Sequence, residues 1–473
     1  MLTDSPHSIK HIHLIGICGT AMASLAGMLK ARNFKVTGSD QNIYPPMSIF
    51  LQNMEIQLSE GFSEKHLNPR PDLIVVGNAV SRGNPEVEFA LNKKIRYASL
   101  AEVLKEFFIR GKESIVVAGT HGKTTTTSLL AWLLEYAGRN PGFLVGGIAG
   151  NFGSSFKLSS GNVFVIEGDE YDTAFFDKGP KFLHYLPDWV IFNNCEFDHA
   201  DIYSNFEAVK LSFKRLINII PTNGRLLAGW DDPVVRELSA AAFSPVESFG
   251  LEGEPHWTAR SVEILAEVTR FDVFKEGRFW GRFETSLAGT FNVKNALGAL
   301  ACAQGLGIDR NTLQKGLREF KNVKRRLEAR GTVHGITVYD DFAHHPTAIR
   351  ETLTAVKARY PTSRIWAIFE PRSATSRRNV FQKEFAHCFE KADRVVLCSI
   401  FAPEKLDASL RLDVGLIMNE LRRQGILAHC WDSADEIVKQ VTPLLEKGDK
   451  VIIMSNGGFD GIHQKILKAL EKR

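Results

Sequence analysis

Val116-Val117-Ala118-Gly119-Thr120-His121-Gly122-Lys123-Thr124-Thr125 is the stretch on which the fold turns. An apolar β-like run enters a tight turn with two glycines, and Lys-Thr opens a helical stretch, Thr125 to Tyr136. Glycines let backbone N–H groups approach phosphate oxygens, and a helix N-terminus adds a favourable dipole. Lys123 can then reach the β- and γ-phosphates of a nucleotide, and the Thr124 hydroxyl can ligate Mg²⁺. The strict phosphate-loop pattern wants another glycine where this chain has Val117. An ordinary glycine turn beside an exposed lysine is the plainer reading, but Gly-Lys-Thr-Thr after a clean apolar strand is the context that phosphate binding requires.

Two further strand ends carry charge. Phe164-Val165-Ile166-Glu167-Gly168-Asp169-Glu170-Tyr171-Asp172 places four carboxylates just after an apolar run. Packing them together is costly unless cations share the charge. Ile191-Phe192-Asn193-Asn194-Cys195-Glu196-Phe197-Asp198-His199-Ala200-Asp201 follows another run, and Asp198, His199 and Asp201 could serve a second metal or orient a water. Nearer the start, Ile15-Gly16-Ile17-Cys18-Gly19-Thr20 resembles a dinucleotide loop without its third glycine. Asp40 lies at the end of the next strand, where an acidic residue meets a ribose in such folds. This loop points to a pyrophosphate, not to NAD in particular.

Around these motifs the chain reads as three blocks, each opening on a β-like run: His11–Gly16, Ser114–Ala118 and a run near Arg326. Further strands are expected at Lys35–Gly38, Leu73–Gly77, Ile95–Ala98, Val163–Ile166, Trp189–Phe192, Ile336–Tyr339, Arg364–Phe369, Arg394–Leu397 and Lys450–Met454. Strand–helix alternation implies parallel sheets. Residues Glu252–Glu284 alternate apolar and polar and read as antiparallel strands inserted in the second block. The length of 473 residues suits two to four domains, and 44% apolar with 24% charged residues is ordinary globular composition. A net charge of +4 gives no reason to expect a nucleic-acid or membrane partner. Six scattered cysteines, with no Cys-x-x-Cys, suit a reducing compartment and argue against a zinc cluster. With no signal peptide and no long apolar span, the cytoplasm is the expected location.

Together the motifs resemble the Mur ligases over nearly the whole chain. Gly119-Thr120-His121-Gly122-Lys123-Thr124-Thr125 is similar to that family's ATP loop, Glu167 to its Mg²⁺-binding glutamate and Asp198-His199 to its metal-histidine motif. Gly289-Thr290-Phe291-Asn292-Val293-Lys294-Asn295 resembles the adenine motif Gly-x-His-Asn-x-x-Asn, with Phe291 in place of the histidine. Arg325-Arg326-Leu327-Glu328 resembles the arginine segment that opens the third domain, and Asp340-Asp341-Phe342-Ala343-His344-His345-Pro346-Thr347 its Asp-Asp-Tyr-x-His-His-Pro-Thr motif.

The resemblance implies an α/β fold in three domains. Residues 1–108 would form a Rossmann-like UDP-sugar-binding domain. Residues 109–326 would form a central phosphate-loop ATPase domain with a parallel sheet and a small antiparallel insert. Residues 327–473 would form a Rossmann-like, peptide-binding domain. It implies ATP as substrate and Mg²⁺ on Thr124, Glu167 and His199. ATP would lie on residues 119–125, Asn292, Asn295, Arg326 and Asp341, and the UDP-sugar on Gly16, Gly19, Thr20 and Asp40. Catalysis would fall to Lys123, His199 and His344, with His344 as the base. The acceptor would be UDP-N-acetylmuramate. The amine would come from L-alanine or, as three stretches favour, from the murein tripeptide L-alanyl-γ-D-glutamyl-meso-diaminopimelate. Those stretches are Gly168–Lys178, Asn194–Ile202 and Ser455–His463. Arg372, after a third-block strand, is the candidate for the peptide's carboxylates. Some relatives carry a carbamylated lysine, and Lys210 and Lys214 read more simply as solvent-facing. A monomer and a dimer are both open. A folate polyglutamate synthase lacks the Gly16 block, and a dehydrogenase or a non-catalytic nucleotide switch leaves the later strand ends unused.

Overall fold

The computed structural model describes residues 9–43 and 47–473, so the first eight residues of the expected first domain lie outside it. The chain divides into two compact units: one holds the chain up to Cys195 with Glu207–Trp257 and Gly298–Gly316, the other Glu196–Phe206, Thr258–Leu297 and Leu317–Arg473.

The first unit carries two parallel sheets. The N-terminal sheet runs Gln57–Glu60, Lys35–Asp40, His11–Ile15, Leu73–Val76, Tyr97–Ser99. Its central strand pairs Ile12 with Val36 on one side and with Leu73 on the other, both parallel. This order places the turn after His11–Ile15 at the point where the winding reverses, the crevice in which such sheets take ligands. The helix Thr20–Ala31 leaves that turn and buries Met22 through Leu29 along one continuous stretch.

The second sheet of this unit is centred on Glu113–Ala118, flanked by Trp189–Phe192 and Val163–Glu167. Arg225–Gly229 and Val246–Gly250 extend one side, Gly142–Ala149 and then antiparallel Ser154–Lys157 the other. Ile115 to Ala118 are fully buried, as expected of a parallel strand covered on both faces. The helix after it spans Lys123–Tyr136 and starts two residues before the sequence suggested. Four consecutive threonines, Thr124–Thr127, open it buried, though β-branched residues are poor helix formers. Their hydroxyls explain the choice: Thr127 donates to the Lys123 carbonyl at 2.8 Å, and Thr126 accepts from Asn193 at 3.2 Å.

The second unit holds a six-stranded sheet in the order Glu328–Val333, Ile336–Asp341, Lys450–Met454, Ile365–Phe369, Arg394–Cys398, Leu427–Trp431. All neighbours are parallel except the first pair. Helices cover both faces, with Leu353, Phe369 and Phe385 in one core and Trp366, Ile437 and Ile466 in the other. The antiparallel strands expected within the second block are Trp257–Ile264, Thr269–Lys275 and Arg278–Thr285. From Thr258 onward they belong to this second unit, not to the phosphate-loop sheet's own unit. Among the described residues no helix is long and apolar enough to cross a membrane, and all six cysteines are free.

Candidate active site

The phosphate loop is built by the strand end at Asn193-Asn194. Gly119 has φ +128°, and a Cβ there would lie 2.9 Å from the Asn194 carbonyl oxygen. That carbonyl accepts from Thr120 N–H at 3.1 Å, and the Asn194 Oδ1 accepts from His121 N–H at 2.7 Å. Gly122, at φ +82°, turns the chain into the helix, and Thr125 is buried in its first turn. The two glycines are therefore required by backbone conformation, and one also by contact.

Lys123 is folded back on this loop. Its ammonium donates to the carbonyls of Gly119 at 2.7 Å and Thr120 at 3.0 Å, and to the Glu170 carboxylate at 2.9 Å. Burial alone would lower its pKa, but Glu170 and Glu167 raise it above the usual lysine value, so the charge is kept. Thr124 Oγ1 donates to Glu167 at 2.9 Å, and the other Glu167 oxygen accepts from Gly146 N–H at 2.7 Å. The hydroxyl and the carboxylate thus meet as two hard oxygen donors beside a carboxylate-rich strand end, a set that fits Mg²⁺. Burial pushes the Asp169 pKa up, yet Lys181 at 2.8 Å overcomes it and holds the group at about 2. Asp172 pairs at 2.5 Å with Lys178, an exposed lysine.

The second unit gathers its own cluster. Asp198 is buried and accepts from His199 N–H at 2.6 Å. Against the cost of burial, His199, His344 and His345 hold its carboxyl well below the usual range. His199 sits at φ +58°, a conformation non-glycine residues rarely adopt. His344 Nδ1 lies 3.0 Å from the Phe342 carbonyl, so Nδ1 carries the proton and Nε2 keeps a lone pair. Burial lowers the His344 pKa and keeps the ring neutral near pH 7. His345 caps the helix Pro346–Arg359, accepting from Thr347 N–H at 3.3 Å, and its Nε2 meets the Phe197 carbonyl at 3.2 Å. Thr347 Oγ1 in turn donates to Glu196 at 2.7 Å. Asp201, grouped with these by sequence, is exposed.

The other expected residues are also placed. Asn295 Nδ2 donates to Asn292 Oδ1 at 3.1 Å, and Asn292 Nδ2 to the Ala288 carbonyl at 2.8 Å, so the two amides form one buried chain. Asp341 accepts from the N–H groups of Leu327 at 2.7 Å and Ala343 at 2.8 Å. Burial raises its pKa, opposed by Arg326. Arg325 and Arg326 stack on the Phe342 ring, 5.3 and 5.1 Å from its centroid. Arg372 lies 3.8 Å over the Phe401 ring and 3.4 Å from Glu370, with its guanidinium pressed against Gly457. In the first unit the N–H groups of Gly16 and Ile17 donate to the Ser39 carbonyl at 2.8 and 3.1 Å. Cys18 N–H donates to Asp40 at 2.8 Å. Gly19 is the N-cap of the helix that opens at Thr20. Asp40 therefore shapes the loop from behind. Lys210 pairs with Glu237 at 2.9 Å, and Lys214 is exposed.

Glu170, Asn194 and Arg325 stand inside the quoted motifs, but the sequence assigned no individual role to them. Glu170 and Asn194 stand directly after apolar strands, which is the one signal that could have marked them. Arg325, which donates to the Ser455 and Gly457 carbonyls at 2.7 Å each, was marked only by the arginine segment Arg325-Arg326-Leu327-Glu328.

A phosphate loop on a parallel sheet, a doubly wound sheet before it and another after it define a nucleotide-dependent α/β ligase architecture. The chain belongs to the Mur ligase family. It matches the Mur ligase family catalytic domain over residues 11–111, the Mur ligase middle domain over 117–303 and the glutamate ligase domain of Mur ligases over 325–457. It is 41% identical to the UDP-N-acetylmuramate–L-alanyl-γ-D-glutamyl-meso-2,6-diaminoheptandioate ligase of Escherichia coli, over 98% of each chain. It is 35% identical, again over 98% of each, to the UDP-N-acetylmuramate–L-alanine ligase of Alkaliphilus metalliredigens. The crystal structure of a murein peptide ligase from Psychrobacter arcticus superposes with a TM-score of 0.73 at 37% identity, over 98% of this chain and 99% of that one.

Proposed function

We propose that this protein couples ATP hydrolysis to amide formation between the lactyl carboxylate of UDP-N-acetylmuramate and the free amine of L-alanyl-γ-D-glutamyl-meso-diaminopimelate. Three domains divide the work: residues 1–108 for the UDP-sugar, 109–326 for ATP and 327–473 for the peptide. The observation that carries the reading is the charged lysine held inside the Gly119–Thr125 loop beside Thr124 and Glu167.

A carboxylate is a poor electrophile at pH 7, so activation comes first. The lactyl carboxylate oxygen attacks the γ-phosphorus, the bond to the β-phosphate oxygen breaks, and ADP leaves. Catalysis of such transfer is positioning and charge neutralisation. Lys123 exchanges its loop carbonyls and Glu170 for phosphate oxygens, and the loop N–H groups orient the triphosphate. Thr124 and Glu167 would hold one Mg²⁺ and His199 a second, and when bound these ions neutralise phosphate charge. Asn292, Asn295, Arg326 and Asp341 shape the nucleoside end. The peptide amine then attacks the acyl phosphate and phosphate departs. His344 Nε2, neutral and unprotonated, takes the amine's proton. Gly16, Gly19 and Thr20 form the pyrophosphate seat, Asp40 serves the ribose of the UDP-sugar, and Arg372 grips a peptide carboxylate.

The alternative amine is L-alanine. The tripeptide is favoured by the higher identity to the tripeptide-adding relative and by the stretches around Tyr171, Cys195 and Phe459. Purified protein with ATP, UDP-N-acetylmuramate and either amine, read by product mass, decides it. A product carrying the tripeptide supports the proposal, and a product formed only with L-alanine refutes it.

A further inference from the structure

Glu86 is fully buried, in the first turn of the helix Pro85–Asn92, and has been given no role so far. A carboxylate in such a place survives only with hydrogen-bond donors around it. It has four. Oε2 faces the Ser39 hydroxyl and His13 Nε2, the latter at 3.3 Å. Oε1 accepts from Ser63 N–H at 3.1 Å and faces His66 Nδ1 at 2.8 Å. The donors come from His11–Ile15, from Lys35–Asp40 and from the short helix Glu64–Leu67 with its N-cap Ser63. The helix N-terminus adds a favourable dipole for the negative charge.

One donor has a second duty. The Ser39 carbonyl holds the N–H groups of Gly16 and Ile17, and its neighbour Asp40 holds that of Cys18. Three successive amides of the glycine loop are thus set by two residues at the end of one strand, and the side chain of one is clamped by Glu86. We propose that Glu86 is a positioning residue for UDP-sugar binding: it fixes Ser39, and through the Ser39 and Asp40 acceptors it fixes the loop that faces the diphosphate. This rests on the assignment of Gly16–Thr20 to the UDP-sugar, and the test separates the two.

The variants are Glu86→Gln, Ser39→Ala and Gly19→Glu, checked for folding by melting temperature and assayed for KM of each substrate. Loss of a hydrogen bond to a charged group predicts that Glu86→Gln raises KM for UDP-N-acetylmuramate by about tenfold to a hundredfold. Ser39→Ala, which keeps the backbone carbonyl, should raise it less, with KM for ATP within about twofold of the parent in both. If Glu86→Gln does not fold, Ser39→Ala alone decides. An unchanged KM for the UDP-sugar in the folded variants overturns the inference. So does an equal rise in KM for ATP, which would mark a merely structural role. Gly19→Glu sets a negative charge in the loop itself. If it moves KM while the other two do not, only the Glu86 inference falls. If it also leaves KM unchanged, the assignment of the loop falls.

Discussion

Lys123 is held by Glu170 and two loop carbonyls, so its charge is already desolvated before a nucleotide arrives. Such a cation is worth more to a developing negative charge than one in water, and Lys123→Ala should cut kcat by about 10³-fold without unfolding the protein. Steady-state kinetics on the variant check this. His344 gives the second residue-scale expectation. Its pKa lies below the ordinary 6.5, and the neutral ring is the active form. The kcat profile should therefore rise along an acidic limb below pH 6.5 and stay flat above it. In His344→Gln that limb should vanish, and its persistence would remove His344 as the base. Residues at strand ends stand out in the sequence because type and position coincide there, as for Glu167 at the end of Val163–Glu167. Glu86 was not legible, because a lone glutamate at a helix start looks like an exposed capping residue. Only the fold brings His13, Ser39 and His66 to it.

Turns decide the behaviour of the elements. Gly119→Ala puts a Cβ 2.9 Å from the Asn194 oxygen at φ +128°, so the turn between strand and helix must shift. ATP affinity should fall by about tenfold or more while the UDP-sugar still binds, as calorimetry with each ligand alone would read. Gly457→Ala drives a methyl into the Arg372 guanidinium, and KM for the peptide should rise with KM for ATP unchanged. An unmoved peptide KM would detach Arg372 from the peptide. The strands that the sequence showed are those buried on both faces, such as Trp189–Phe192 and Lys450–Met454, which match the structure end to end. Arg225–Gly229 and Val246–Gly250 escaped because the first has only three consecutive apolar residues, Leu226–Ala228, and the second is interrupted by Glu247 and Ser248. Gly142–Ala149 escaped because Gly146, which lets Glu167 approach the backbone, breaks its apolar pattern.

For the whole molecule, acid tests the histidine cluster. Asp198 is held well below its ordinary 3.8, so its contribution to stability is present above that pH and is lost as pH falls through the lower folded value. Asp198→Asn should lower the melting temperature at pH 7 and weaken its dependence on acid. A parallel pair of melting curves against pH would contradict this. The three-domain α/β plan was legible because each block opens on an apolar strand, whereas the grouping into two units depends on contacts between segments far apart in the chain. The account finally depends on the terminal phosphate of ATP passing to the sugar's acid. UDP-N-acetylmuramate labelled with oxygen-18 in its lactyl carboxylate, turned over with ATP and tripeptide, tests this directly. One labelled oxygen in each phosphate released is the expected result, and phosphate free of label would contradict it.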